Sequence, residues 1–307
     1  MTSLDMRTTV FVCYKAGTQD VLKVWMESFY RHTREECRIY VVVSDMFSRD
    51  EATRIIDLYR DIIHPFPCVI QITLPVTTKA WIHGKMLDEA FKTVNLSNLD
   101  SEFILTMDSD CFPVADGWLE DLEKMLDKGA RLAGILHPWA PPSKKMNVQS
   151  LEFRIRSQHC YETTHVACQM LRTKDLEDLN VPFAGGDDTG LLIPLEAKKR
   201  GWKIDGFKLT RCAFPRDDSD PEFNRYSCLI FGDKIYHHGG FTRIFVSDDK
   251  PELGKSYDWV MPEIISQRSA DFLLEKSYKF LFDREEDVAK DKMDRLTGIK
   301  TMLKNGI

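Results

Sequence analysis

Two hydrophobic periods share the first 113 residues. Thr8 to Tyr14 (TTVFVCY), Arg38 to Ser44 (RIYVVVS), Cys68 to Leu74 (CVIQITL) and Phe103 to Met107 (FILTM) are short apolar runs rich in β-branched residues. Such runs predict strands, and RIYVVVS in particular predicts one covered on both faces. Between them the spacing changes to three and four. Asp20 to Tyr30 aligns Val21, Val24, Trp25 and Phe29; Ser48 to Ile63 aligns Ile55, Ile56, Tyr59 and Ile63; Trp81 to Val94 is also helix-like. The order β-α-β-α-β-α-β predicts an α/β fold, a Rossmann-like doubly wound sheet with helices on both faces.

The second half is less regular. Trp118 to Lys128 predicts a helix with Leu119, Leu122 and Leu126 inward, and Arg131 to Leu136 a short strand. His137 to Lys145 (HPWAPPSKK) is Pro-rich and basic, and predicts an exposed loop. Asp187 to Arg200 has a helical pattern with two acids at its start, where the helix dipole favours negative charge. SCLIFGDKIY is strand-like, and Ser266 to Leu303 predicts a charged helical tail carrying Phe272, Leu273, Phe280 and Leu281. No repeat or linker interrupts the chain. The expected organisation is one domain over 1–262, with halves 1–113 and 114–262, and a C-terminal helical extension over 263–307.

The 307 residues suffice for a sizeable core without disulfides or metals. Charges sum to 42 − 48 = −6, against the basic excess of a general nucleic-acid binder. No apolar stretch approaches the roughly 18 to 20 residues of a membrane span. The first seven residues lack the apolar core of a signal peptide. The expectation is a cytoplasmic protein with scope for peripheral contact with the cytosolic face of a membrane. The eight cysteines form no CxxC and no zinc-ligand spacing, so they read as small core residues.

Ligands of doubly wound sheets bind beyond the carboxyl ends of strands. Tyr14, Asp45 and Asp108 fall there. In MDSDCFP, Asp108 and Asp110 flank Ser109 just after a buried strand, and both carboxylates can reach one hard divalent cation such as Mg or Mn. In FAGGDDTG, Gly185 and Gly186 allow close backbone approach before Asp187 and Asp188, which read equally as an acidic helix cap. In YHHGGFTR, His237 and His238 precede a Gly pair, and imidazole suits Mn better than Mg. Arg243 and Lys85 are candidate cationic contacts, and Tyr14 a candidate aromatic one. Trp139 is a candidate flat aromatic contact in the HPWAPP loop, and Arg154 with Arg156 a short basic cluster for an anionic pocket.

MDSDCFP followed by Trp118-Leu119-Glu120-Asp121-Leu122 resembles the DxD segment of nucleotide-sugar glycosyltransferases with the GT-A fold, in particular their large inverting family-2-like group. VFVCYKAGTQDVLKVWMESF resembles that family's opening donor-binding segment, and His83 to Ala90 its helix before the DxD. The likeness runs from about Val10 to Arg243 at motif level. It implies a general base at Asp188, with Asp187 as the alternative; Asp187 stands where the family more often has Glu. It implies a divalent metal, Mn or Mg, held by Asp110 with Asp108 and a late histidine, His238 ahead of His237. Donor contacts are implied at Tyr14, Asp45, Lys85, Asp108, Ser109 and Arg243, with Asp45 on the nucleobase. The implied donor is a nucleotide-diphosphate sugar, the acceptor a glycan or lipid-linked saccharide, and the outcome inversion by one displacement.

Other readings fit less well. A sugar-phosphate nucleotidyltransferase would carry a Gly-rich basic loop where this chain has Tyr14-Lys15-Ala16-Gly17-Thr18-Gln19. A non-catalytic binding protein on the same fold would be expected to have lost an acid, and both acidic motifs are intact. No GxGxxG supports a dehydrogenase.

Overall fold

The computed structural model describes residues 6–14, 19–44, 71–79, 83–95, 99–139, 161–185, 189–212 and 227–239. The elements in order are β1 (Thr8–Cys13), α1 (Gln19–His32), β2 (Cys37–Ser44), β3 (Gln71–Thr78), α2 (His83–Val94), β4 (Phe103–Asp108), β5 (Cys111–Pro113) and α3 (Trp118–Asp127). They continue with β6 (Leu132–Trp139), β7 (Tyr161–Arg172), α4 (Thr173–Leu179), α5 (Leu192–Lys199), β8 (Ile204–Cys212), β9 (Ser227–Phe231) and β10 (Ile235–Gly239). The chain divides into two units. One is Met1–Arg211 with Leu229–His237, and holds Asp108, His165 and His237. The other, Cys212–Cys228 with His238–Ile307, is described only at its strand ends.

The strand order is β3-β2-β1-β4-β7-β6-β8-β9-β10-β5. β3, β2, β1 and β4 run parallel. β7 inserts antiparallel between β4 and β6, and β6 runs parallel to β8. The result is a mixed α/β sheet.

Every residue of β1 is buried, and alternate side chains serve opposite faces. Phe11 and Cys13 join a core with Val42 and Ile104, covered by Met86, Leu87, Ala90 and Phe91 of α2, Leu176 and Leu179 of α4, and Ile193 and Ala197 of α5. A second aromatic cluster ties α1 to α3. Trp25 stacks on Phe29 at 4.7 Å between ring centroids, Phe29 meets Trp118 edge-on at 5.6 Å, and Trp118 Nε1 donates to Thr33 Oγ1 at 3.1 Å.

Several expectations need correction. β3 is described over Gln71–Thr78, running past the expected end at Leu74, while residues 68–70 lie outside the described residues. Among the described residues it is an edge strand, which tolerates Pro75, and its Leu74 is 40% exposed. The segment expected to loop from His137 instead extends β6 to Trp139, because His137 and Trp139 pair with Thr163 and Tyr161 of β7. The helix expected from Asp187 begins only at Leu192. Gly190 adopts φ +69° in the turn before it, and the first turn of α5 contains no acid. SCLIFGDKIY is two strands. Gly232 and Asp233 both have positive φ, and Lys234 N–H donates to Phe231 O at 3.0 Å, as in the type I′ turn that suits a hairpin. The expected helix over 48–63 and the tail over 263–307 lie outside the described residues.

Candidate active site

β1 and β4 are parallel neighbours, so they end on one edge of the sheet, with Cys13 opposite Asp108. β7 runs back along β4, with Cys168 opposite Met107, and this register brings His165 to the same edge. β10 pairs with β5 so that His237 lies opposite Cys111. Three strands distant in sequence thereby converge. One ligand atom from each of Asp108, His165 and His237 lies within 4.8 Å of the others. The two imidazole centroids are 5.4 Å apart. Thr106 Oγ1 donates to Val166 O at 3.0 Å, fixing β7 beside β4 next to His165. Ala167 N–H donates to His165 Nδ1 at 3.1 Å.

The first residue of α2 completes the electrostatics. His83 Nε2 lies 3.1 Å from Asp108 Oδ1. The contact is an ion pair between two atoms closed off from solvent. Burial pushes the Asp108 carboxyl upward. The charge of His83, followed by those of His165 and His237, outweighs this and holds it at about 2. For His83, burial favours the neutral ring, but the Asp108 carboxylate and then Cys13 raise it well above the usual imidazole range. Burial also raises the thiols of Cys13, Cys111 and Cys168. The gathered donor set is nitrogen and oxygen: two imidazoles and one carboxylate. That set fits a divalent cation.

The same helix holds the chain just before the second acidic motif. Asp88 accepts hydrogen bonds from Phe183 N (2.8 Å) and Ala184 N (3.1 Å). Gly84 lets α2 approach closely, since a Cβ there would lie 2.7 Å from Phe183 O. Phe91 packs on Phe183 at 5.1 Å, and Gly190 N donates to Phe183 O at 2.8 Å. One helix thus touches Asp108 at its start and anchors 183–184 one turn later. Asp88→Ala leaves two amides without their charged acceptor and should lower stability by about 1–3 kcal/mol. Asp88→Asn, which keeps one acceptor oxygen, should lose less; thermal denaturation of both variants checks this.

Among the residues singled out from sequence, Asp108 is part of the convergence. Asp110 and Ser109 are buried in the turn between β4 and β5, and Asp110 is not one of the three gathered residues. His237 is gathered; His238 lies in β10, and its side chain, like that of Trp139, falls outside the described residues. Tyr14 is buried just past β1, with its N–H on Val42 O at 3.0 Å. Lys85 is exposed on α2. Asp45, Arg154, Arg156, Asp187, Asp188 and Arg243 lie outside the described residues. Sequence reading missed His165, His83 and Asp88. The β-branched Thr163-Thr164-His165-Val166 run was the available sign of a strand carrying a histidine.

No family model and no curated protein matches the chain. Solved structures do. A 4-diphosphocytidyl-2C-methyl-D-erythritol synthase from Anaerococcus prevotii is 15% identical, with 66% of this chain and 89% of that one covered and a TM-score of 0.39. TarS 1–349 from S. aureus is 12% identical, with 91% and 82% covered and a TM-score of 0.42. The same protein in complex with UDP is 16% identical, with 58% and 50% covered and a TM-score of 0.37. Among the described residues no helix is long and apolar enough to cross a membrane.

Proposed function

We propose that the chain is a metal-dependent, inverting glycosyltransferase that moves a sugar from a nucleotide-diphosphate donor to a hydroxyl of a glycan or lipid-linked acceptor. One observation carries this reading: the first carboxylate of the DxD, Asp108, meets two imidazoles at the carboxyl edge of the parallel strands. That edge is where doubly wound sheets bind their ligands. Asp108 and His237 would hold the cation, with Asp110 in the adjoining turn and His238 as the alternative imidazole. A bound divalent ion supplies Lewis-acid stabilisation of the charge on the leaving diphosphate.

The chain's own groups do the rest. Asp188, or Asp187, accepts the acceptor hydroxyl's proton and makes it a better nucleophile. Tyr14, Asp45, Lys85, Ser109 and Arg243 are the proposed donor contacts. With one base and no second carboxylate in the role of nucleophile, a single displacement inverts the anomeric centre; by analogy with glycosidases, retention by double displacement needs that second group. The proposed setting is the cytoplasm or the cytosolic face of a membrane.

Titration calorimetry with UDP-, GDP-, CDP- and dTDP-sugars, each with Mn, with Mg and with neither, tests the reading. The expected result is one nucleotide class that binds tightly only with metal. Failure of every donor under every metal condition overturns it.

A further inference from the structure

We propose that Asp88 is a positioning residue for sugar transfer: it acts through two backbone amides on the loop that carries the proposed base, Asp188 or Asp187. This rests on the transferase reading above. Both oxygens of Asp88 are committed. Oδ1 accepts from Phe183 N at 2.8 Å and Oδ2 from Ala184 N at 3.1 Å. Two successive amides aimed at one carboxylate fix the direction of the backbone, as successive amides do in anion-binding nests.

The packing of α2 does not depend on these bonds. Met86, Leu87, Ala90 and Phe91 already hold the helix in the core, and Phe183 is buried against Phe91. What the carboxylate adds is control of the chain as it leaves Phe183. The approach is close by construction: a Cβ at Gly84 would meet Phe183 O at 2.7 Å and Ala184 Cα at 2.8 Å, both backbone atoms that cannot swing aside.

The return of the loop is tied to the same residue, since Gly190 N–H donates to Phe183 O at 2.8 Å. Phe183 thus carries the entry clamp on its N–H and the exit clamp on its carbonyl. At the exit, a Cβ on Gly190 would lie 2.8 Å from Val166 Cβ, so β7 backs the loop closely. Asp187 and Asp188 lie between the two clamps in sequence. Connectivity alone keeps the Asp188 Cα within about 8 Å of the Gly190 Cα. A slip at the entry clamp is therefore passed on to the acids, and a misplacement of about 1 Å in a reacting group can slow a reaction about 100-fold.

The test measures transfer and donor binding in the full chain, below the melting temperature of each variant. Asp88→Ala should lower kcat about 10- to 100-fold. Donor affinity, read by calorimetry, should stay within about threefold of the parent, because the lost interaction serves turnover and not donor binding. Asp88→Asn, which keeps one acceptor oxygen, should recover part of the loss. The decisive readout is a double-mutant cycle. In a chain already lacking the base, Asp187→Asn with Asp188→Asn, adding Asp88→Ala should change residual turnover by less than about twofold. A merely structural residue would lower turnover equally in both backgrounds.

Undiminished kcat in a folded Asp88→Ala protein overturns the proposal. So does an equal loss in both backgrounds, or a loss confined to donor binding. If Asp88→Ala does not fold, Asp88→Asn is read by the same criteria. Absence of transfer by the parent chain sinks the transferase reading and this role with it. Transfer by the parent with a kcat indifferent to Asp88 sinks this role alone.

Discussion

Asp188→Asn should reduce kcat for sugar transfer by about 10²- to 10⁴-fold while leaving donor affinity nearly intact. Asparagine preserves shape and polarity but cannot take the acceptor's proton. The loss should therefore appear in turnover and not in donor binding, which calorimetry measures separately. Asp187→Asn is the necessary companion. If Asp187→Asn loses turnover and Asp188→Asn does not, the base moves by one residue; if neither does, the assignment of a base to this motif is wrong. The neighbouring structure explains why the motif should be sensitive to its anchor. Asp88 holds the amides of Phe183 and Ala184, and Gly84 allows the close approach that places them there.

Asp108→Asn should abolish metal-dependent donor binding and slow transfer by about 10²-fold or more, the equivalent of roughly 3 kcal/mol of lost charge stabilisation. Calorimetry with and without Mn reads the first effect and a transfer assay the second. The substitution also removes the charge that faces His83, His165 and His237. Stability should then lose a recognisable pH dependence. Asp108 is depressed from 3.8 to about 2, so its contribution is complete above 3.8 and lost as pH falls through 2. His83 is raised above 6.5, so its contribution is complete below 6.5 and lost as pH rises through the raised value. The pair therefore stabilises the metal-free protein most between 3.8 and 6.5. Melting temperature against pH should show this plateau in the parent chain and a flatter profile in Asp108→Asn. Identical profiles would refute the coupling.

These predictions draw unequally on sequence. The placement of Asp108 was legible because it depends on local pattern: a buried apolar run that ends in an acid is visible in FILTMDSD. The same holds for β1, α1, β2 and α3, whose hydrophobic spacing reports which faces are covered. Local pattern failed where partners override it. The Pro-rich HPW segment became strand because β7 pairs with it. The acids of Asp187-Asp188 did not begin α5 because the turn at Gly190 intervenes.

The sequence by itself determined the α/β alternation, the mixed sheet's first four strands and the acid at the end of β4, since each follows from periodicity within a few residues. Only the tertiary structure decided that His165 and His237 meet that acid, and that His83 and Asp88 of one helix serve both motifs. The reason is register. Which residues share a strand edge depends on how distant strands align, and a shift of one residue would turn His165 to the opposite face of the sheet.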